Sequence, residues 1–469
     1  MRNMKSMPYV IGIKVRIFPS TIQKRIIAKN DGAARFIYNR LVARDRELHS
    51  LQKVQIYCEP VASRIDYLKS LGTDLSDFKA AYPFLEDPEI DSLAIANAKQ
   101  NYLAAWKNFR KVPGTSMPVF HKKWYGKSYQ TNCQYASGVT RMDKGSVRLL
   151  DDRHLKIPKL GSVKFAGSGM LQKIFKRTCE TRIGTVTVSM DNCGDYYVSL
   201  QAGSVCPFHK ALPDTGDGVG IDVNIKNLYT DSNGQEADNP KFYTKEQKKL
   251  AKAQKKLARR KERAIKEGRS IYESKNYQKQ RLKVARLCRT IARRREDYLD
   301  VQSKHLVESQ DYIFAEDIKT KNLLKNHKLA KAIADVAWGM FLSKVSYKCD
   351  FYGRLFGKVP PKSTTQMCSN CGHVMKGIEH LDLDTREWTC PECGTHHNRD
   401  KNSAINIKKS REDDLPSRDC VKNIRTHSLT THYGNSPLTG GPPPAFLWEN
   451  RRACCIWVSF PIGAFHVSL

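Results

Sequence analysis

Cys368-Ser369-Asn370-Cys371-Gly372 and Cys390-Pro391-Glu392-Cys393-Gly394, the second running directly into Thr395-His396-His397-Asn398-Arg399-Asp400-Lys401-Asn402, organise the reading of the whole chain. The two Cys-x-x-Cys pairs stand with 18 residues between them. Zinc takes four thiolate or imidazole ligands in a tetrahedron. One such turn offers two sulfurs to one side of the ion, and a second turn closes the site. Gly372 and Gly394 follow the pairs, where a tight knuckle turn favours a residue without a Cβ. Chance pairs and a redox dithiol are the competing readings, but duplicated knuckles are far more specific than a single pair. The spacing predicts a zinc ribbon over residues 363–395, held by Cys368, Cys371, Cys390 and Cys393. Four cysteines leave no open position, which makes the ion structural. His373, His396 and His397 are the alternative ligands.

Beyond the second pair, Asp400 precedes Asn402-Ser403-Ala404-Ile405-Asn406-Ile407, whose small and apolar residues suit a helix packed on a sheet. Two further acids lie far upstream, each at the end of a short apolar run that reads as a strand. Asp222 sits in Gly220-Ile221-Asp222-Val223, followed by Lys226-Asn227-Leu228, and Glu316 in Tyr312-Ile313-Phe314-Ala315-Glu316-Asp317. A carboxylate on a strand end is aimed by its buried neighbours rather than by a loop. Two Mg²⁺ ions about 4 Å apart need several such oxygens to bind phosphate and activate water. Taken singly, an acid at a strand end is more often a turn or cap residue.

The length, 469 residues, implies two to four folded units. Eighty Lys and Arg against 47 Asp and Glu give a formal charge of +33, which calls for an anionic partner. Nucleic acid fits best, because a basic surface gains affinity by releasing counterions from phosphates. An acidic membrane surface fits less well, and no apolar run is long enough to span a bilayer. The apolar end, Cys454 to Leu469, is short and interrupted by Pro461 and Gly463, and the basic Met1–Met7 leads into a strand pattern rather than a signal core. Of 14 cysteines, ten lack a framework spacing and read as reduced intracellular thiols. The expected location is cytoplasmic and nucleoid-associated, or nuclear in a eukaryote, with no membrane partner.

Period-two alternation puts Ile11, Ile13, Val15 and Ile17 on one face of a strand over 9–18, with Ser20 or Thr21 as the cap of a following helix. Helical patterning covers Asp31–Leu48 and Ser92–Phe109. Short β runs fill Pro113–Ser204, with Asn192-Cys193-Gly194-Asp195 as a hairpin turn, and suggest a small antiparallel barrel. A basic helical region follows from Tyr243 to about Leu306. It carries 21 Lys and Arg against four acids between Lys245 and Arg295, too few for offsetting pairs. Its thin apolar stripe is Leu250, Leu257, Val284, Leu287, Cys288 and Ile291, and Gly268 and Ser270 separate two antiparallel helices. Then come a strand at Tyr312–Ala315, a helix from Lys328 to about Cys349, and a strand at Leu355–Val359. Between Asn108 and Asn132, Arg110, Lys111, Lys122, Lys123 and Lys127 interleave with Phe109, Phe120, Trp124, Tyr125 and Tyr129. That mixture suits backbone tracking and base stacking, and core packing of the rings accounts for it equally well.

The order Gly-Ile-Asp…Lys-Asn-Leu, then Ala-Glu-Asp, then the two knuckles and His397-Asn398-Arg399-Asp400-Lys401-Asn402-Ser403-Ala404-Ile405-Asn406-Ile407 resembles the TnpB family. These are transposon-encoded RNA-guided nucleases, from which compact type V CRISPR effectors derive. Phe18-Pro19 with Ala34-Arg35-Phe36-Ile37-Tyr38-Asn39, and Pro118-Val119-Phe120-His121-Lys122-Lys123, are similar to the family's opening segments, so the resemblance covers roughly 8–410. It implies a multidomain α+β protein. A wedge-type β-barrel (1–20 and 111–210) would carry a helical recognition insertion (21–110). A RuvC-like, RNase H-type α/β nuclease domain (211–362 and 396–416, basic helices 243–306) would hold the inserted ribbon. Asp222, Glu316 and Asp400 would be the catalytic ligands of two Mg²⁺ ions: Asp222 bridging both, Glu316 on one, Asp400 on the other, with Asp317 the runner-up for Glu316. Guide RNA and target double-stranded DNA would be the partners, with cleavage beside a short adjacent motif. Asn224 stands where the family commonly has Gly, and Asn398 where it often has Asp. The rival readings are a guide-directed repressor that no longer cuts and an unguided transposase or resolvase; the presence of all three acids speaks against the first. A monomer is favoured, and 417–469 is expected to be a disordered, dispensable tail.

Overall fold

Alternation over Tyr9–Phe18 produces β1, with Ile11, Ile13, Val15 and Ile17 all buried. The computed structural model describes residues 4–412 apart from 55–57, 72–73, 124–126, 138, 140–141, 167–168, 362–363 and 383. Trp124, Tyr125 and the expected tail 417–469 lie outside the described residues. The chain divides into two units, one running through Phe208 and the other starting at His209.

In the first unit β1 leads into α1 (Thr21–Leu51), α2 (Glu59–Ser70), α3 (Leu75–Ala81) and α4 (Ser92–Lys111). Ser20 and Gln23 close a capping box at the start of α1, each side chain accepting from the other's backbone N–H. Buried Asn30 ties α1 to α4: its Oδ1 accepts from Asp91 N at 2.8 Å and its Nδ2 donates to Glu89 O at 2.9 Å. The strands are β2 (Lys127–Asn132), β3 (Arg148–Asp151), β4 (His154–Ile157) and β5 (Gly161–Phe165), then, after α5 (Gly169–Phe175), β6 (Thr181–Met190) and β7 (Tyr196–Ser204). They form one seven-stranded antiparallel sheet in the order β2-β6-β7-β1-β5-β4-β3. The β6–β7 turn is the one the sequence marks, with Gly194 at φ 84° donating to Asp191 O at 3.0 Å.

The second unit opens with β8 (Gly218–Asp222), β9 (Asn227–Asp231) and β10 (Glu236–Asp238), followed by α6 (Phe242–Lys266) and α7 (Lys275–Ser309). Then come β11 (Tyr312–Glu316), α8 (Thr320–Leu323), α9 (His327–Val336), α10 (Trp338–Tyr352), β12 (Leu355–Val359), β13 (Glu387–Thr389), β14 (His396–Asn398) and α11 (Arg399–Glu412). A five-stranded sheet runs β10-β9-β8-β11-β12; β8, β11 and β12 are parallel, and β9 and β10 form an antiparallel edge. Because side chains alternate across a strand, Val219, Ile221, Ile313 and Ala315 face the apolar core made by α7, α9 and α10. The opposite face carries Phe314, packed with Val359 and with Ile407 of α11.

The single helix expected from Lys328 to Cys349 is two helices, broken at Ala337, whose φ of 59° is left-handed. The break turns Trp338 so that its Nε1 donates to the carbonyl of Asn224 at 3.2 Å, in the turn after β8. Long antiparallel α6 and α7 close along the expected stripe, around Leu250, Ala253, Val284 and Ile291. Their base is fixed by buried Asp335, which accepts from Tyr243 N (2.9 Å), Thr244 N (3.1 Å) and Arg295 Nη2 (3.0 Å). Among the described residues no helix is long and apolar enough to cross a membrane.

Candidate functional site

Asp222 and Glu316 end adjacent parallel strands, one step beyond the pair Ala315↔Ile221, and alternation sends both to the face covered by α11. That is the carboxyl edge of the parallel strands, where open α/β sheets place their ligands. Asp400 lies in the first turn of α11. The three acids that the sequence separates by 84 or more positions therefore converge. Burial, followed by the charges of Glu316 and Asp400, pushes the Asp222 carboxyl well above the usual carboxylate range; Arg399 only partly opposes this.

Gly220 explains how α11 comes so close. A Cβ there would lie 2.1 Å from Ala404 O and 2.6 Å from Lys408 N, so helix backbone sits directly on the strand. Gly220→Ala should therefore lift α11, lower the melting temperature by an overpacking cost of about 1–3 kcal/mol or more, and displace Asp400. Gly12→Ala, where a Cβ meets nothing within 4 Å, is the matched control. Equal melting of the two variants would refute this account.

The surroundings of each acid are specific. Thr364 Oγ1 donates to Glu316 Oε1. Asp400 faces Asn224 Nδ2 and Arg386 Nη1, each at 3.5 Å. Ser403 is buried with its hydroxyl beside the Asp222 carboxylate, whose charged form it favours. Asp317 is turned away, paired with Lys358 at 3.0 Å. Asn224 does not perturb the turn. Its Oδ1 accepts from Asn227 N at 2.7 Å, an Asx-type turn, and its backbone is outside the left-handed region that favours glycine. Asn398 Oδ1 accepts from Lys401 N at 3.1 Å and so caps α11.

The ribbon stands against the same helix. Cys368, Cys371, Cys390 and Cys393 bring their sulfurs within 4.8 Å of one another. The 368–393 and 371–390 separations are 3.7 and 3.6 Å, near the tetrahedral edge of about 3.8 Å that Zn–S bonds of 2.3 Å require. Each knuckle closes alike: Gly372 N donates to Cys368 O at 3.0 Å and Gly394 N to Cys390 O at 2.9 Å, with φ of 79° and 68°. The donor set fits zinc. His397, expected only as a substitute ligand, places Nε2 3.0 Å from Cys368 Sγ and packs tilted against the Trp388 ring, the position of an outer partner that orients a thiolate. His373 pairs with Glu379 and His396 faces Thr389.

Two buried side chains of α11 join ribbon to sheet, and sequence reading assigned them no such role. Asn402 Oδ1 accepts from Ser369 N at 2.8 Å, and its Nδ2 donates to Met367 O at 2.8 Å. Asn406 Nδ2 donates to Thr364 O at 2.9 Å and Met367 O at 2.7 Å. Their i, i+4 spacing on the otherwise apolar face of a packed helix is the signal that was available.

The basic hairpin presents Lys256, Arg260, Lys279, Lys283 and Arg286 along the groove between α6 and α7. In the first unit Phe120 is exposed beneath the Arg46 guanidinium, 4.6 Å from its ring, whereas Tyr129 is core.

Profiles described as "Cas12f1-like, TNB domain", "Probable transposase" and "Helix-turn-helix domain" match residues 338–407, 204–327 and 7–53. The last range folds as β1 and the single helix α1 rather than as two helices. A "Putative RNA-guided DNA endonuclease" of Streptomyces pristinaespiralis is 30% identical over 437 residues, covering 92% of this chain and 96% of that one. The "Putative RNA-guided DNA endonuclease InsQ" of Escherichia coli (strain K12) is 28% identical, covering 84% and 90%. The "Cryo-EM structure of the Cas12f1-sgRNA-target DNA complex" is similar at 13% identity with a TM-score of 0.48, covering 85% of this chain and 98% of that one. On the strength of the full-length sequence relatives, the chain belongs to the TnpB family of transposon-encoded RNA-guided endonucleases.

Proposed function

We propose that this protein is an RNA-guided DNA endonuclease that hydrolyses target DNA beside a short adjacent motif, at a RuvC-like site built from Asp222, Glu316 and Asp400. The observation that carries the reading is the convergence of those acids at the carboxyl edge of the second unit's sheet, with Asp222 buried among like charges. Such an arrangement is unfavourable until cations neutralise it. Two Mg²⁺ ions bound there would neutralise phosphate charge and supply a nucleophilic water. Asp222 feels the charges of both other acids and would contact both ions, Glu316 and Asp400 one each. Thr364 orients Glu316, and Asn224 and Arg386 orient Asp400.

In this reading the seven-stranded sheet (1–20 and 111–210) acts as the wedge and 21–110 as the recognition insertion. Residues 211–362 and 396–416 form the nuclease domain, with the ribbon at 363–395. The hairpin's basic groove supplies phosphate contacts, and base pairing with a guide RNA supplies the sequence reading. The decisive experiment sequences the RNA that copurifies with the protein, then replaces the segment of it that matches a target. Cleavage in Mg²⁺ should follow the new sequence. Cutting that ignores the RNA would favour an unguided enzyme, and binding to a matched target without cutting would favour a repressor.

A further inference from the structure

We propose that Cys179 and Cys206, in the first unit and remote in sequence from the acids and the zinc cysteines, are a redox modification site: a dithiol that closes reversibly to a disulfide when a hydroperoxide reaches it. Strand register carries the argument. Thr181 pairs with Ser204 across the antiparallel β6–β7 ladder, and Val205 N donates to Glu180 O at 3.1 Å. The ladder itself ends at Thr181 and Ser204, and Cys179 and Cys206 follow it on the two chains, meeting at the Ser204 hydroxyl. Two antiparallel chains just past a ladder end stay near the Cα span a disulfide tolerates.

Four side chains share this face. Cys179 Sγ lies 3.4 Å from Ser204 Oγ and 3.8 Å from Thr181 Oγ1, the two hydroxyls are 3.3 Å apart, and Cys206 N donates to Ser204 Oγ at 3.2 Å. Arg177 binds the chain beside them, with Nη2 on Cys206 O at 3.1 Å and on Pro207 O at 2.8 Å. Both thiols are partly exposed, so an oxidant can reach them. Burial pushes Cys179 up, but hydrogen bonding from Ser204, Arg177, Cys206 and Thr181 outweighs it and brings the thiol down to about 6. The Cys206 thiol, hydrogen-bonded to Cys179, is pushed the other way and keeps its proton. One thiolate beside one protonated thiol is the pairing that attack and resolution need.

The steps balance. The Cys179 thiolate attacks a peroxide oxygen and the O–O bond breaks. Hydroxide or alkoxide leaves and takes a proton, and Cys179 becomes a sulfenic acid. The Cys206 sulfur then attacks that sulfur, and its proton departs with the hydroxyl as water. The pair loses two electrons and the peroxide gains them.

The test treats the full-length, zinc-loaded protein with one equivalent of hydrogen peroxide, blocks free thiols with an alkylating reagent, and maps peptides without reduction. A peptide pair joined through Cys179 and Cys206 should dominate and should vanish with dithiothreitol, while exposed Cys58 stays alkylated. Joining of other cysteines instead, or recovery of both thiols alkylated, overturns the proposal. In Cys206→Ser the oxidation should stop at a Cys179 sulfenic acid that dimedone traps. Should that variant fold poorly, the unmodified chain still decides.

Discussion

Asp222→Ala is expected to abolish DNA cleavage, by at least about 10³-fold, while guide and target binding survive. Partners that merely orient metal ligands are worth about 10–100-fold, and Asp222 is the acid that faces both others, so its loss must cost more. The same substitution should not weaken the fold. With burial and two facing carboxylates holding its folded pKa above the unfolded value, the ionised group opposes folding at neutral pH, and removing it relieves that opposition. Metal-free Asp222→Asn should therefore melt at or above the temperature of the unsubstituted protein and lose the stabilisation that added Mg²⁺ gives the latter. Cutting at an unchanged rate would sink the site assignment. A large fall in melting temperature would show instead that Asp222 is a structural acid.

What could be read in advance was whatever depends on spacing along the chain. Knuckle spacing located the cysteines, and short apolar runs located the strands whose ends carry Asp222 and Glu316. The alternation of side chains along those strands, with the parallel register of β8 and β11 added, explains why the two acids share a face. The helix break at Ala337 was not legible, since alanine is the strongest helix former. The left-handed turn exists because Trp338 has a partner 114 positions earlier in the chain, at Asn224. Asn224 and Asn398 were legible as departures from a family pattern but not in their consequence. Each amide meets a local backbone N–H, and that needs only the turn. Thr364, Arg386, Asn402 and Asn406 act through contacts that exist only once ribbon, helix and sheet are assembled.

Those contacts would give a zinc-bound ribbon a role beyond its own stability, and removing the ion should show it. The ribbon's core among the described residues is Cys368, Met375, Leu381, Trp388 and Cys390, too small to fold without its metal. Structural zinc contributes on the order of 10 kcal/mol to such modules. Chelation, or Cys390→Ser at a buried ligand, should therefore unfold residues 364–398 and open them to proteolysis while the basic hairpin stays protected. The effect should reach the acids by a defined route. Met367 and Ser369 leave Asn402, Thr364 leaves Asn406, and Glu316 and Asp400 lose the hydroxyl and the guanidinium that orient them. Cleavage should fall by about 10–100-fold, the usual cost of losing outer partners of a metal ligand, without loss of guide binding. Asn406→Ala separates the two effects: it should retain zinc and the ribbon's protease resistance, yet cut more slowly because Thr364 is no longer held against Glu316. If Asn406→Ala cuts normally, or if the zinc-depleted protein does, the ribbon only covers the sheet and the acids are held in place without it.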